Sequence, residues 1–85
     1  MKIREVLALN LRKFRRAKGL SQEELADRAK IDRTYISSVE RSVYAASIDV
    51  VDRLARGLDV EAADLLRQPS APTGAGKKDR RAGSS

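Results

Sequence analysis

The 85-residue chain contains no cysteine and no histidine. Without cysteine there is no disulfide framework, and without either residue the usual structural zinc site is excluded. The same absences exclude a cysteine nucleophile, a serine nucleophile activated by histidine, and a histidine general base. We therefore expect no enzymatic activity, no bound metal and no cofactor.

Aromatic residues and long apolar runs are also scarce. No stretch approaches the ~20 apolar residues that a membrane span needs, and the charged residues 1–5 are not followed by the apolar segment of a signal peptide. We expect a cytoplasmic protein with no membrane partner. A single domain of this length has a small core, to which a dimer interface would add stability. The aromatic side chains are Phe14, Tyr35 and Tyr44.

Basic and acidic residues are unevenly distributed along the chain, which has a formal net charge of +6. Residues 1–41 carry 11 basic and 6 acidic side chains, for a net +5. Residues 42–68 carry 3 basic and 5 acidic side chains, for a net −2. Residues 69–85 carry 4 basic and 1 acidic side chain, for a net +3. Such segregation is typical of a polyanion-binding face. A solvated basic surface without a partner explains the charge equally well, so charge alone leaves both interpretations open.

Five segments between residues 3 and 67 have the apolar spacing of helices, and none has the alternation that a strand requires. The first, residues 3–17, is followed by Gly19, which suits a left-handed helix end. The last lies near residues 61–67. The three middle helices are preceded by residues that favour the N-cap position, and Ser21 with Glu24 forms a capping box. These N-cap residues are Ser21, Asp32 and Ser47.

The apolar stripes of these helices predict one small core, with Asn10 as a polar exception in the first stripe. Past residue 68 the sequence has no large apolar side chain, so we predict an ordered domain over residues 1–68 and a disordered basic tail over residues 69–85. Outside the two central helices, the residues expected to face inward are Ile3, Val6, Leu7, Leu11, Phe14, Ile48, Val51, Leu54, Ala55, Leu58, Val60, Leu65 and Leu66.

Residues 22–41 have the pattern of a helix-turn-helix, in which two helices are joined by about three residues. The first helix crosses the DNA backbone and the second, starting here near Arg33, lies in the major groove. The helices touch through small or apolar residues, here Leu25, Ala26, Ala29, Ile31, Ile36 and Val39. Hydrogen-bonding side chains occupy the rest of the second helix, namely Arg33, Thr34, Ser37, Ser38 and Arg41.

Residues 11–66 resemble the Cro and phage-repressor type of helix-turn-helix proteins, also called the xenobiotic-response-element family. The segments SQEELA and RTYISSVER carry the resemblance, and together they are specific. The resemblance implies an all-α, compact five-helix, lambda-repressor-like domain. It also implies a protein that is usually a dimer and that binds double-stranded operator DNA.

The resemblance also implies roles for individual residues. Gln22 matches a glutamine that contacts a phosphate and braces the recognition helix. Arg15 and Glu40 match a structural salt bridge between the first and third helices. Three positions that face base edges in the family are occupied here by Arg33, Thr34 and Ser38. The remaining positions near the DNA backbone or adjoining bases are Tyr35 and Ser37, and Arg41 completes the predicted DNA-binding set.

Several of these assignments have simpler alternatives. Arg33 could be a solvated first-turn residue, and Tyr35 could serve only to pack its ring. The chain also departs from the family pattern where glycine is common at helix ends. A non-glycine residue with positive φ costs ~1 kcal/mol there, and less for aspartate. The residues at these positions are Lys30, Ser42 and Asp59.

The leading functional hypothesis is a sequence-specific transcriptional regulator that binds a pseudo-palindromic operator as a homodimer. The alternatives are an antitoxin with a toxin partner, a controller of a restriction system, and an interaction module that does not bind DNA. The sequence does not specify the operator, or whether the protein represses or activates. The apolar residues predicted to supply the dimer interface are Val43, Val50, Val60, Leu65 and Leu66.

Overall fold

The computed structural model describes residues 2–68, in which five helices and no strand are present. This confirms the predicted all-α class. The predicted tail, residues 69–85, lies outside the described residues. None of the described helices is both long and apolar enough to cross a membrane. The helices are α1 (Ile3–Ala17), α2 (Gln22–Ala29), α3 (Arg33–Glu40), α4 (Ile48–Leu58) and α5 (Ala62–Leu66).

The three predicted N-caps are confirmed. The Ser21 hydroxyl accepts a hydrogen bond from the Glu24 N–H at 3.0 Å, and Glu24 Oε1 accepts one from the Ser21 N–H at 2.8 Å. This capping box lowers the pKa of Glu24, chiefly because the Ser21 N–H stabilises the charged carboxylate. Asp32 and Ser47 cap α3 and α4 by accepting a single hydrogen bond each, from the N–H groups of Thr34 and Val50. These three helices therefore begin where the local sequence satisfies a free N–H group of the first turn.

Helices α1 to α4 all end in the same hydrogen-bonding pattern, the Schellman motif. One residue takes a left-handed conformation, and the next donates its N–H back to a carbonyl five residues earlier at 2.9–3.1 Å. An apolar residue follows the left-handed one in all four helices. The left-handed residues are Gly19, Lys30, Ser42 and Asp59, with φ of 71°, 60°, 61° and 59°.

One hydrophobic core joins the five helices. It includes five of the six predicted helix-turn-helix contacts, and the sixth, Ile31, is half-buried and packs against it. Helix α2 approaches α4 closely because Gly57 has no side chain: a Cβ there would lie 3.2 Å from Leu25 Cδ1 and 3.4 Å from the Ala29 nitrogen. The buried cluster consists of Leu7, Leu11, Leu25, Ala26, Ala29, Ile36, Val39, Val51, Leu54, Ala55, Leu58 and Leu65.

Asn10, the polar exception in the α1 stripe, is buried and ties α1 to the end of α5. Its Nδ2 donates to the Leu65 carbonyl at 2.9 Å and to the Arg67 carbonyl at 2.8 Å. Both amide hydrogens are thereby used, as a buried polar group requires. The C-terminal carbonyls of α5 are satisfied by a side chain 55 residues away in sequence.

Three residues predicted to face the core are instead exposed. Ile3 is 61% exposed, Ile48 is 87% exposed and Leu66 is 41% exposed. Each lies at or near a helix end, where the apolar stripe extends beyond the packed part of the helix. Leu65 is completely buried, which confirms its predicted place in the core and contradicts its predicted place in a dimer interface.

Candidate nucleic-acid interface

Helices α2 and α3 are joined by the three residues Lys30, Ile31 and Asp32. The left-handed conformation of Lys30 reverses the chain, and the Ile31 N–H bonds to the Ala26 carbonyl at 3.0 Å. On the other side of the turn, α3 packs its inner face into the core through Ile36 and Val39, both completely buried. The turn and the core together set the orientation of α3.

The opposite side of α3 carries the residues predicted to contact DNA. Arg33 and Thr34 are exposed in its first turn, and Ser37 and Ser38 are half-buried. Arg41, at the end of the helix, is exposed and donates from Nε to the Ser37 carbonyl at 3.4 Å. These side chains form a hydrogen-bonding surface on a helix whose other side is fixed in the core.

A buried carboxylate braces this helix against the two preceding ones. Glu40, at the end of α3, is 3% exposed and accepts from Arg15 Nε at 2.6 Å and from Arg15 Nη2 at 3.0 Å. Gln22, at the start of α2, donates to the same carboxylate at 3.0 Å. The two residues paired by the family resemblance thus form a two-pronged ion pair, and Gln22 joins it.

Two backbone carbonyls extend this network. Arg15 also donates to the Leu20 carbonyl at 2.8 Å, and Arg12 donates to the Glu40 carbonyl at 3.1 Å. The C-terminus of α3 is therefore bonded to two arginines of α1. Next to this network, Gln22 and Arg33 line an open surface depression of about 600 Å³ together with Arg15, Ser21 and Glu23.

Tyr44, in the loop after α3, is a neighbour of the recognition surface that sequence analysis did not identify. Its ring meets the half-buried ring of Tyr35 edge-on, with centroids 5.1 Å apart and planes at 83°. The two rings, with Asp32, Thr34 and Ser38, line a shallow cavity of about 260 Å³. Only the aromatic character of Tyr44, in a chain with three aromatic residues, could have drawn attention to it.

An apolar groove lies between the starts of α1 and α4 and the end of α5, and shares no residue with the surfaces just described. Its volume is about 500 Å³. The three exposed apolar residues that were predicted to be buried all line it, and charged residues of both signs stand at its rim. The lining residues are Ile3, Arg4, Leu7, Ala45, Ala46, Ile48, Asp49, Val51, Asp52, Ala62 and Leu66.

Comparison with known proteins gives a consistent result. A family model described as helix-turn-helix matches residues 11–65. A protein of Neisseria meningitidis serogroup B, named as a hypothetical transcription factor, is 46% identical over 67 residues, which are 79% of this chain and 63% of that protein. The chain thus spans less than two thirds of that relative. The control protein C.SmaI of Serratia marcescens is 41% identical over 66 residues, 78% of this chain and 79% of that one.

Solved structures show the same fold. The crystal structure of a hypothetical transcription factor from Neisseria matches with a TM-score of 0.78 at 46% identity, covering 80% of this chain and 78% of that one. The restriction-modification controller protein C.AhdI from Aeromonas hydrophila matches with a TM-score of 0.71 at 40% identity, covering 73% of this chain and 94% of that one.

Proposed function

The chain belongs to the helix-turn-helix family of transcriptional regulators. We propose that it binds a pseudo-palindromic DNA operator as a homodimer. Double-stranded DNA is its partner, and the cytoplasm is where it acts. One observation carries the proposal. Helix α3 is anchored on one side by the core and at its end by the Glu40 network, while its other side presents hydrogen-bonding groups.

A recognition helix needs both properties. Base edges in the major groove are distinguished by the positions of donors and acceptors, so the reading side chains must be held in register with them. We assign to Arg33, which is exposed in the first turn, two hydrogen bonds to guanine, and to Thr34 and Ser38 contacts to neighbouring base edges. Gln22, Tyr35, Ser37 and Arg41 fit contacts to phosphates or adjoining bases, which set the position of the protein on the duplex.

The basic part of the chain supports the same function. Residues 1–41, which contain the helix-turn-helix, carry a net charge of +5, and attraction to phosphates supplies much of the affinity for DNA. Residues 69–85 add +3, and we assign them to a separate basic tail that increases nonspecific DNA affinity. The ordered DNA-binding domain then comprises residues 1–68.

The dimer interface that we assign is the apolar groove, with a second copy of the chain as its occupant. Ile3, Ile48 and Leu66 expose apolar surface there, and its charged rim can pair with itself. In a two-fold dimer the same surface meets itself, and this groove carries both a basic residue, Arg4, and an acidic one, Asp49, for pairing between copies. Within residues 2–68 neither of these two residues forms an ion pair. Of the five residues first expected to supply the interface, only Leu66 lines this groove. Val43 lies outside it, Val50 and Val60 pack against the core, and Leu65 is completely buried.

Among the alternatives, control of a restriction-modification system has a specific observation in its favour. C.SmaI and C.AhdI are named as controller proteins, and this chain covers 79% and 94% of their lengths. For this chain the function would be regulation of restriction and modification genes. A restriction endonuclease gene beside its own gene, with the selected operator upstream, would support this assignment over the antitoxin alternative.

The experiment that tests the proposed function is selection of bound duplexes from a random DNA pool by the full chain at physiological salt. We expect one enriched pseudo-palindrome with half-sites roughly 10 base pairs apart, centre to centre, because two recognition helices must enter the same side of the duplex. Footprinting on that site should show both half-sites protected. Recovery of unrelated sequences with uniformly weak affinity would contradict the proposal.

Arg33→Ala tests the recognition helix on that selected site. Loss of a bidentate contact should weaken binding by ~1–3 kcal/mol and relax the preference at one base pair in each half-site. Binding to the selected site and to a set of single-base variants gives both quantities. If affinity falls equally for every sequence, Arg33 contacts a phosphate and another residue reads the base.

A further inference from the structure

The shallow cavity between Tyr35 and Tyr44 opens on the side of α3 that carries Thr34 and Ser38. Its walls are mostly apolar, although it lies among the hydrogen-bonding residues of the recognition helix. The two rings meet edge-on in the unbound chain, and this contact favours the arrangement that forms the cavity. Apolar walls on this surface contribute to binding when the ligand offers an apolar group that packs against part of them.

In the major groove only thymine offers such a group, its 5-methyl. The other unmodified bases have no methyl group there, and their major-groove donors and acceptors are not satisfied by an apolar wall. We propose that the cavity lined by Tyr35 and Tyr44 binds the 5-methyl group of a thymine in each half-site, and that Tyr44 is a specificity-determining residue. This proposal rests on the proposed function, since it requires α3 to lie in the major groove.

The geometry of the cavity suits this group. Thr34 and Ser38 are one helical turn apart and therefore lie side by side on α3, with Tyr35 beside them. Tyr44 is 54% exposed and comes from outside the helix, closing a side that α3 leaves open. The adjacent Thr34 and Ser38 hydroxyls can donate to thymine O4 while its methyl group contacts the rings.

Uracil substitution measures the contribution of the methyl group alone, because uracil differs from thymine only by its absence. Each thymine of the selected operator is replaced in turn, symmetrically in both half-sites, and affinity for the full chain is measured. Burial of one methyl group predicts a loss of about fourfold per half-site at one position and none at the others. If no thymine is sensitive while the protein still selects the site, this proposal is overturned and the proposed function stands.

Variants of the loop identify which ring is responsible. Tyr44→Ala should abolish the difference between thymine and uracil at that position, whereas Tyr44→Phe should keep it, since the ring and not the hydroxyl forms the wall. Val43→Ala changes a neighbouring exposed residue that does not line the cavity, and it should also keep the difference. If Tyr44→Ala still binds the thymine operator more tightly than the uracil operator by the same factor, the proposal is overturned. If the full chain selects no site at all, the proposal and the proposed function fail together.

Discussion

Glu40 accepts hydrogen bonds from side chains of both α1 and α2, and it does so at the last residue of α3. A buried carboxylate is unfavourable unless it is paired and fully hydrogen-bonded. Here Arg15 offers a two-pronged partner and Gln22 adds a third bond. The network therefore fixes the angle of the recognition helix at the end opposite to Arg33.

Replacing Glu40 with glutamine should destabilise the domain by about 3 kcal/mol, because Arg15 would keep its charge with only a neutral partner in a mostly buried site. DNA affinity should fall, and discrimination should weaken at every base pair of the half-site together, since a tilted helix carries all its reading side chains out of register. Urea unfolding and binding to the operator variants measure the two effects.

Arg56→Gln is the matched control, because it breaks an ion pair with Asp52 that is largely exposed. Exposed pairs contribute about 0–1 kcal/mol, so its unfolding curve should nearly overlay that of the parent protein. Equal effects of the two substitutions would show that the Glu40 network does not act as a buried unit. Loss of preference at a single base pair in Glu40→Gln would instead place that residue in recognition.

At the scale of the element, the C-terminal ends of the helices depart most from standard local rules. Four helices end on a left-handed residue, yet only Gly19 has the residue type that adopts this conformation without strain. In three of these ends the apolar residue that follows packs on the core, as Leu20, Ile31 and Val60 do. Val43 is the exception, being 64% exposed, so the loop after α3 is less firmly packed than the other turns.

Lys30→Gly should stabilise the domain by about 0.5–1 kcal/mol. Relief of the left-handed strain gives about 1–2 kcal/mol, and the greater freedom of glycine in the unfolded chain offsets part of this gain. Lys30 is exposed, so little else changes. Thermal unfolding of the variant measures the gain as a higher Tm.

Glu23→Gly provides the control for that prediction, since it places glycine at an exposed position inside the same helix, where φ is negative. It should lower stability by about 1–2 kcal/mol, through the low helix propensity of glycine and the loss of a negative charge in the first turn of α2. If both variants are destabilised, the strain at Lys30 is smaller than the entropy that glycine adds to the unfolded state.

At the scale of the whole molecule, the loop between α3 and α4 connects two separate surfaces. Tyr44 lines the cavity beside the recognition helix, while Ala45 and Ala46 line the apolar groove. A dimer formed through the groove would therefore place the recognition helix and its loop in a defined relation to the two-fold axis. The spacing of the half-sites follows from that relation.

Ile48→Glu tests the groove as a dimer interface. The side chain is 87% exposed in the single chain, so helicity should be retained, while a charge in the groove should weaken self-association by more than about tenfold. Sedimentation of the free protein reports the shift towards monomer. Affinity for the full palindrome should fall more than affinity for one half-site.

Variants at two other positions test whether the effect of Ile48→Glu is specific to the groove. Leu65→Glu should unfold the domain, because this side chain is completely buried, and Val43→Glu should leave the oligomeric state unchanged, because Val43 lies outside the groove. A parent protein that sediments as a monomer and binds a single half-site with full affinity would rule out the dimer.

The sequence alone determined the features that depend on near neighbours in the chain. The helix starts at Ser21, Asp32 and Ser47 follow from side chains that bond to N–H groups two or three residues away. The end of α1 at Gly19 follows from local backbone geometry. The helix-turn-helix could be predicted for the same reason, since its two helices are separated by a single short turn. Which of its exposed residues touch DNA stays a prediction.

The tertiary structure decided what depends on distant parts of the chain. Helical periodicity cannot distinguish the buried Leu65 from the exposed Ile48, because burial depends on which element packs against that turn of the helix. Asn10 is a polar residue in the apolar stripe of α1, and its burial is explained only by the two carbonyl acceptors at the end of α5. Tyr44 gained its role only because the loop brings its ring against Tyr35. In each case the burial or contact of the residue depends on another element that packs against it, and the apolar spacing within a single helix does not specify which element that is.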